Sequence, residues 1–177
     1  MSIVCIGLVN PKNPINVGAI LRASGCYDVS EILYTGTRYA LAAQYEKGHS
    51  RTTHLDTNNA AKNIMLDQVE DLIEQAKARQ LTTVCIELVE GAKDLPSFDH
   101  PDDAMYIFGP EDGSVNKQLV KACDHVVYIP TKGCLNLSQT ANVVLYDRLA
   151  KKNAVLAPEQ AKQLIRKSRD RNNRLKL

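Results

Sequence analysis

Gly133, Cys134 and Asn136 fall within four residues of one another, between a β-branched run (Val126 to Ile129) and a helically spaced apolar series of Leu137, Ala141, Val144 or Leu145, and Leu149. A strand, a polar loop and a helix in that order place ligands at the carboxyl edge of a parallel sheet. The same spacing also describes an ordinary strand-to-helix turn, and this stretch alone does not separate the two. Arg22 lies six residues past Asn16 on a second candidate helix, and Glu111 sits inside the turn-rich run GPEDG. Residues 36–59 mix Arg38, Lys47, His49, Arg51 and His54 with few long apolar side chains. That composition suits phosphate contacts, and equally one weak helix followed by a solvated loop.

Several chemistries are poorly supported. No GxGxxG follows the first strand and no GxxxxGK[ST] occurs, so neither a dinucleotide fold nor a P-loop is indicated. No GxSxG elbow or HExxH is present. The four histidines have no partner pattern, and the five cysteines show no CxxC spacing, so no metal site or disulfide framework is expected. Cys5 and Cys85 read as small hydrophobes inside strands.

The elements that must carry these residues follow from periodicity. Strands are expected at 3–9, 31–34, 82–89, 104–108 and 126–129. Helices are expected from residue 16 or 17 to 26 with Asn16 as N-cap, over 67–79 with an Asp67/Glu70 capping box, over 116–123, and from about 136. Strands alternating with helices imply an α/β fold, a parallel sheet flanked by helices on both faces. Ligand chemistry then belongs to the loops at 10–16, 88–92, 109–113 and 130–136, where glycine, asparagine and proline gather. One domain over 1–150 is expected, with 151–177 as a basic tail. The tail holds nine Lys/Arg against two Asp/Glu, whereas the body is net −5. That asymmetry points to a polyanion, or to a solvated end. No apolar run reaches the ~20 residues that span a bilayer, and the N-terminus lacks the pattern of a signal peptide. A cytoplasmic protein without membrane contact is expected.

Three segments, NPKNPINVGAILRASG (10–25), IFGPEDG (107–113) and YIPTKGCLNLSQTANVVLYD (128–147), together with TTVCIELVEGA (82–92), resemble the SPOUT superfamily of RNA methyltransferases. The similarity is to its SpoU/TrmH group, which methylates ribose 2′-hydroxyls. The resemblance implies a C-terminal trefoil knot (the SPOUT α/β knot), S-adenosylmethionine as cofactor, no metal, and a homodimer whose active site uses both subunits. It implies a cofactor pocket lined by Leu88, Glu90, Gly109, Ile129, Cys134 and Leu135. It further implies Arg22 as the catalytic residue supported by Asn16, Glu111 and Asn136. A guanidinium stays protonated in proteins, so Arg22 is expected to grip the phosphate and orient the hydroxyl, with action as the base left open. Two departures stand out. Cys134 occupies the place of the family's usual serine, and Gly113 follows Glu111 by two residues where the family's glycine follows by three, with Ser114 in its place. RNA is the expected partner, tRNA favoured over rRNA because no separate RNA-binding module precedes the domain. The weighed alternatives are a non-catalytic RNA-binding protein on this fold and a base methyltransferase.

Overall fold

Short β-branched and aromatic runs form the centre of the sheet because their side chains pack on both faces of a pleated surface. The computed structural model describes residues 2–48, 64–152, 156–169 and 175. The central strands are β1 (Val4–Leu8), β2 (Glu31–Tyr34), β4 (Thr82–Ile86), β6 (Ala104–Phe108) and β7 (His125–Tyr128). Two short strands, β3 (Met65–Gln68) and β5 (Lys93–Asp94), complete a seven-stranded, all-parallel sheet in the order β3-β2-β1-β6-β4-β7-β5.

Side chains alternate between two apolar layers, as the two-residue strand period requires. Val4, Ile6, Leu8, Ala104, Tyr106 and Phe108 face one layer, where Val17 and Ile20 of helix α1 (Pro14–Cys26) and Ala141, Val144 and Leu145 of helix α5 (Leu137–Lys152) cover them. Cys5, Leu33, Met105 and Ile107 face the other, beneath Leu72, Ile73 and Ala76 of helix α3 (Leu72–Ala78). Gly7 lets α3 approach closely: a Cβ there would meet Leu72 Cδ1 at 3.1 Å.

Several boundaries differ from expectation. Asn13, not Asn16, caps α1, its side chain accepting from the Ile15 amide at 2.9 Å. Pro14 then takes the first helical turn, where a missing amide costs nothing, and Asn16 is left buried within the helix. The expected helix over 67–79 divides. Met65–Gln68 joins the sheet beside β2, and Asp71 caps α3 by accepting from Ile73 and Glu74, so the Asp67/Glu70 box does not form the start. Part of the 36–59 segment is helix α2 (Arg38–Gly48); the side chain of Lys47, and His49, Arg51 and His54, lie outside the described residues. The expected helix at 116–123 is α4 (Lys117–Ala122), capped by Asn116. Part of the basic tail is a further helix, α6 (Pro158–Ser168), none of whose residues is buried; residues 170–174, 176 and 177 lie outside the described set.

The strap between β5 and β6 is fastened to α5. Arg148 is buried and donates to the carbonyls of Pro101 and Asp102 at 2.5 Å each and to the Tyr106 hydroxyl at 3.0 Å. Lys151 donates to the carbonyls of Leu95 and Phe98. His100 bridges Tyr106 and Asp147 at 2.6 and 2.8 Å. Burial lowers the His100 pKa, against the pull of the Asp147 carboxylate. Among the described residues no helix is long and apolar enough to cross a membrane.

Candidate functional site

The strand order reverses direction at β1 and β6, the neighbouring pair from which the sheet grows both ways. In open parallel sheets the crevice at such a reversal, beyond the carboxyl ends of the strands, is where ligands bind. Here the loops after β1 and β6 are drawn together at that edge by one carboxylate. Glu111 accepts from the amides of Lys12 (2.8 Å) and Asn13 (3.0 Å), and from the Asn16 side chain (3.1 Å). Burial alone would raise the Glu111 carboxyl; the hydrogen bonds from Asn16, Lys12 and Asn13 outweigh it and hold the group below the usual carboxylate range.

Asn16 uses its other end as well. Its carbonyl oxygen accepts from the Asn136 side-chain amide at 3.1 Å. Asn136 in turn caps α5, its Oδ1 accepting from the amide (2.9 Å) and hydroxyl (2.7 Å) of Ser138. Glu111, Asn16 and Asn136 therefore form a chain of hydrogen bonds joining the starts of two helices to the loop after β6. Three segments far apart in sequence are held in one geometry.

Beside this hub lies a cleft of about 460 Å³, floored by the ends of β4, β6 and β7. Of the residues singled out from sequence, Leu88, Gly109, Ile129, Cys134, Leu135, Glu111 and Asn136 line it. Leu88 and Leu135 expose apolar surface there. Thr131 donates to the Gly133 carbonyl at 2.6 Å, folding the loop after β7 back on itself and bringing Cys134 to the surface. Gly109 is a point of close approach: a Cβ would sit 3.1 Å from Val115 Cγ2 and 3.4 Å from Glu87 Oε2.

Three singled-out residues stand apart from the walls: Asn16, buried within the hub, Glu90 and Arg22. Glu90 is exposed and does not line the cleft; the acidic side chain on that wall is Glu87, which sequence reading passed over. Glu87 accepts from the Leu88 amide (2.9 Å) and the Val115 amide (2.8 Å), tying β4 to the loop after β6. The signal that could have found it is its position directly after β4, at the carboxyl edge of the sheet. Arg22 is exposed on α1 and is also absent from the cleft lining. It lies about 9 Å along the helix from Asn16 and roughly 120° around it.

A second charged group adjoins the hub. Asp112 binds Arg38 with both carboxylate oxygens at 2.8 Å and Lys12 at 3.4 Å. The hydrogen bond from Arg38, foremost, holds the Asp112 pKa below the ordinary carboxylate value.

Known proteins share this fold. The 23S rRNA (guanosine-2′-O-)-methyltransferase RlmB of Nitrosomonas europaea is 27% identical over 143 residues, covering 77% of this chain and 52% of the relative. The chain thus spans about half the length of the curated relative it matches. The TrmH/SpoU tRNA modifying enzyme of A. aeolicus superposes with a TM-score of 0.68 at 19% identity, over 94% of this chain and 87% of that one. The SpoU methyltransferase AviRb of Streptomyces viridochromogenes, solved in complex with AdoMet, gives 0.67 at 17% identity, over 85% and 58%. These likenesses establish the fold as theirs. The profile of the SpoU rRNA Methylase family matches residues 3–146, most of the chain and all three segments of the hub, and the chain belongs to that family.

Proposed function

We propose that this protein is an S-adenosylmethionine-dependent RNA methyltransferase acting on a ribose 2′-hydroxyl, of tRNA in preference to rRNA. The observation that carries the proposal is the Glu111–Asn16–Asn136 chain, which fixes three loops around one cleft. A cleft of this size, walled by a few apolar side chains and backbone polar groups, suits a nucleoside-sized ligand.

The residues present fit the cofactor. Leu88, Ile129 and Leu135 offer apolar cover for an adenine, and Gly109 leaves no side chain between ligand and backbone. The Glu87 carboxylate on the same wall complements a cationic sulfonium. Cys134 lines the cleft as a thiol, a weaker hydrogen-bonding group than the family's serine. When bound, S-adenosylmethionine supplies a methyl group already activated by its sulfonium. The protein's task is then to hold a sugar oxygen in line and dry. Arg22 grips the phosphate beside the target ribose and orients its hydroxyl. Asn16, Glu111 and Asn136 fix the loops so that this orientation is not lost to thermal motion.

Arg22 stands outside the walls of its own cleft, which supports an active site completed by a second subunit. Helices α1 and α5 pack together and expose Ile15, Val143, Tyr146 and Leu149, apolar surface suited to a twofold contact. A C-terminal knot is supported by topology. Strand β7 lies between β4 and β5, so the 87–92 connection spans the point where the chain leaves β7 for α5. The domain is assigned to 1–150, with 151–177 a basic extension whose helix α6 adds to RNA affinity.

The deciding experiment incubates purified protein with S-adenosylmethionine and either unmodified tRNA or rRNA, then maps modified nucleosides by mass spectrometry. A 2′-O-methylated nucleoside in tRNA is expected. Methyl groups found only on bases, or none in either RNA, would overturn the proposal.

A further inference from the structure

Lys12 and Arg38 are brought together at the carboxyl edge of the sheet by one carboxylate, that of Asp112. Both cations reach the same oxygen, Asp112 Oδ2, at 3.4 and 2.8 Å, so they stand within about 6 Å of each other. The Lys12 side chain is 62% exposed and Asp112 49%. The loop bearing Lys12 is already anchored by its neighbour Glu111, through the Lys12 and Asn13 amides. Exposed ion pairs of this kind contribute little to stability and are screened by salt.

None of Lys12, Arg38 and Asp112 lines the cleft, although Glu111, adjacent to Asp112, does. Whatever these cations hold therefore lies next to the cleft ligand without being part of it. We infer that Lys12 and Arg38 form a binding site for a backbone phosphate of the RNA, at which Asp112 stands in for the phosphate until RNA displaces it. The inference rests on the RNA reading above and locates a contact of that substrate. A phosphate matches the site in kind, because it presents paired oxygens to a guanidinium as the Asp112 carboxylate does. Asp112 also serves as a competitor: a polyanion must outbid it, so weakly matched anions are rejected.

The test measures binding of an unmodified tRNA transcript and of a single-stranded oligouridylate between about 50 and 200 mM salt. S-adenosylmethionine affinity and the thermal midpoint are followed in parallel. Lys12→Gln and Arg38→Gln should each weaken RNA binding several-fold and flatten the plot of log affinity against log salt by about 0.7 for oligouridylate. The double variant should lose about twice that slope, with cofactor affinity unchanged in all. Asp112→Asn should bind RNA more tightly and with a steeper slope, because the internal competitor has lost its charge. Weaker binding by Asp112→Asn would show a structural tie and overturn the inference. So would unaltered slopes in both cation variants, or loss of cofactor affinity in place of RNA affinity. If the wild-type protein binds neither RNA at the lowest salt, the RNA reading falls and this site falls with it; wild-type binding that is indifferent to Lys12 and Arg38 removes the site alone.

Discussion

Asn16 and Asn136, 120 residues apart in sequence, meet amide to carbonyl at 3.1 Å. Asn16 donates to Glu111 while accepting from Asn136, so its two ends are not interchangeable. Asn16→Asp would keep the acceptor, lose the donor and set a second carboxylate against Glu111. Asn16→Ala should cost about 1–3 kcal/mol by leaving Glu111 a donor short. Asn16→Asp should be the less stable of the two at pH 7 and should recover on acidification. Urea unfolding at pH 7 and pH 4 reads this directly.

Glu111 gives the hub a pH dependence whose sign is fixed. Its folded pKa lies below its ordinary value of 4.5, so the unfolded chain binds the proton more readily. The stability it contributes is present above about pH 4.5 and is lost as pH falls through the folded value. Relative to wild type, Glu111→Gln should be less stable at pH 7, and the gap should close below pH 4. A gap that persists unchanged at pH 3 would contradict the geometry of the three donors.

Arg22→Ala tests whether catalysis separates from cofactor binding as proposed. Because it is outside the cleft, Arg22→Ala should leave S-adenosylmethionine affinity unaltered while methyl transfer falls by roughly 100-fold or more. Mixing this variant with a cofactor-binding variant such as Gly109→Ala tests the proposed sharing of the active site between subunits. Recovery of activity in mixed dimers is expected, up to the fraction of sites that pair a working Arg22 with a working cleft.

Gly109→Ala would push a methyl group against Val115 and toward the Glu87 carboxylate, at 3.1 to 3.4 Å. Val115 is buried and its amide is bonded to Glu87, so it has little freedom to yield. An overpacking cost of about 1–3 kcal/mol is expected, with weakened cofactor binding by calorimetry.

Cys134 reports on occupancy of the cleft. Of the cysteines, Cys26 and Cys134 are exposed. In a Cys26→Ser background, alkylation of Cys134 should slow when S-adenosylmethionine is added, followed by mass spectrometry of the labelled peptide.

The central strands and α1 and α5 were legible because each is an apolar run long enough for its period to show. Elements whose existence depends on a neighbour were not. Strand β5 has two residues and is recruited by β7; β3 is a short edge strand, and Val69, Leu72, Ile73 and Ala76 keep helical spacing across its boundary with α3. The cap at Asn13 was marked by Pro14, a signal outweighed by the apolar series beginning at Val17. At the site, the motif residues were readable by resemblance, while the Asn16 bridge and the role of Glu87 were not. Both are contacts between loops that no local spacing encodes.

The place of β7 in the sheet has a bearing on biosynthesis. Until its residues have left the ribosome, β4 has no partner on its outer side and β5, whose one neighbour is β7, has none at all. From completion of β4 at Ile86 until His125–Tyr128 emerges, the nascent chain carries an open, hydrogen-bond-hungry seam, an edge prone to pairing with other chains. Closure waits for the final third of the polypeptide, so truncation by a premature stop before His125 leaves five contiguous strands of the seven, with the β4 edge open.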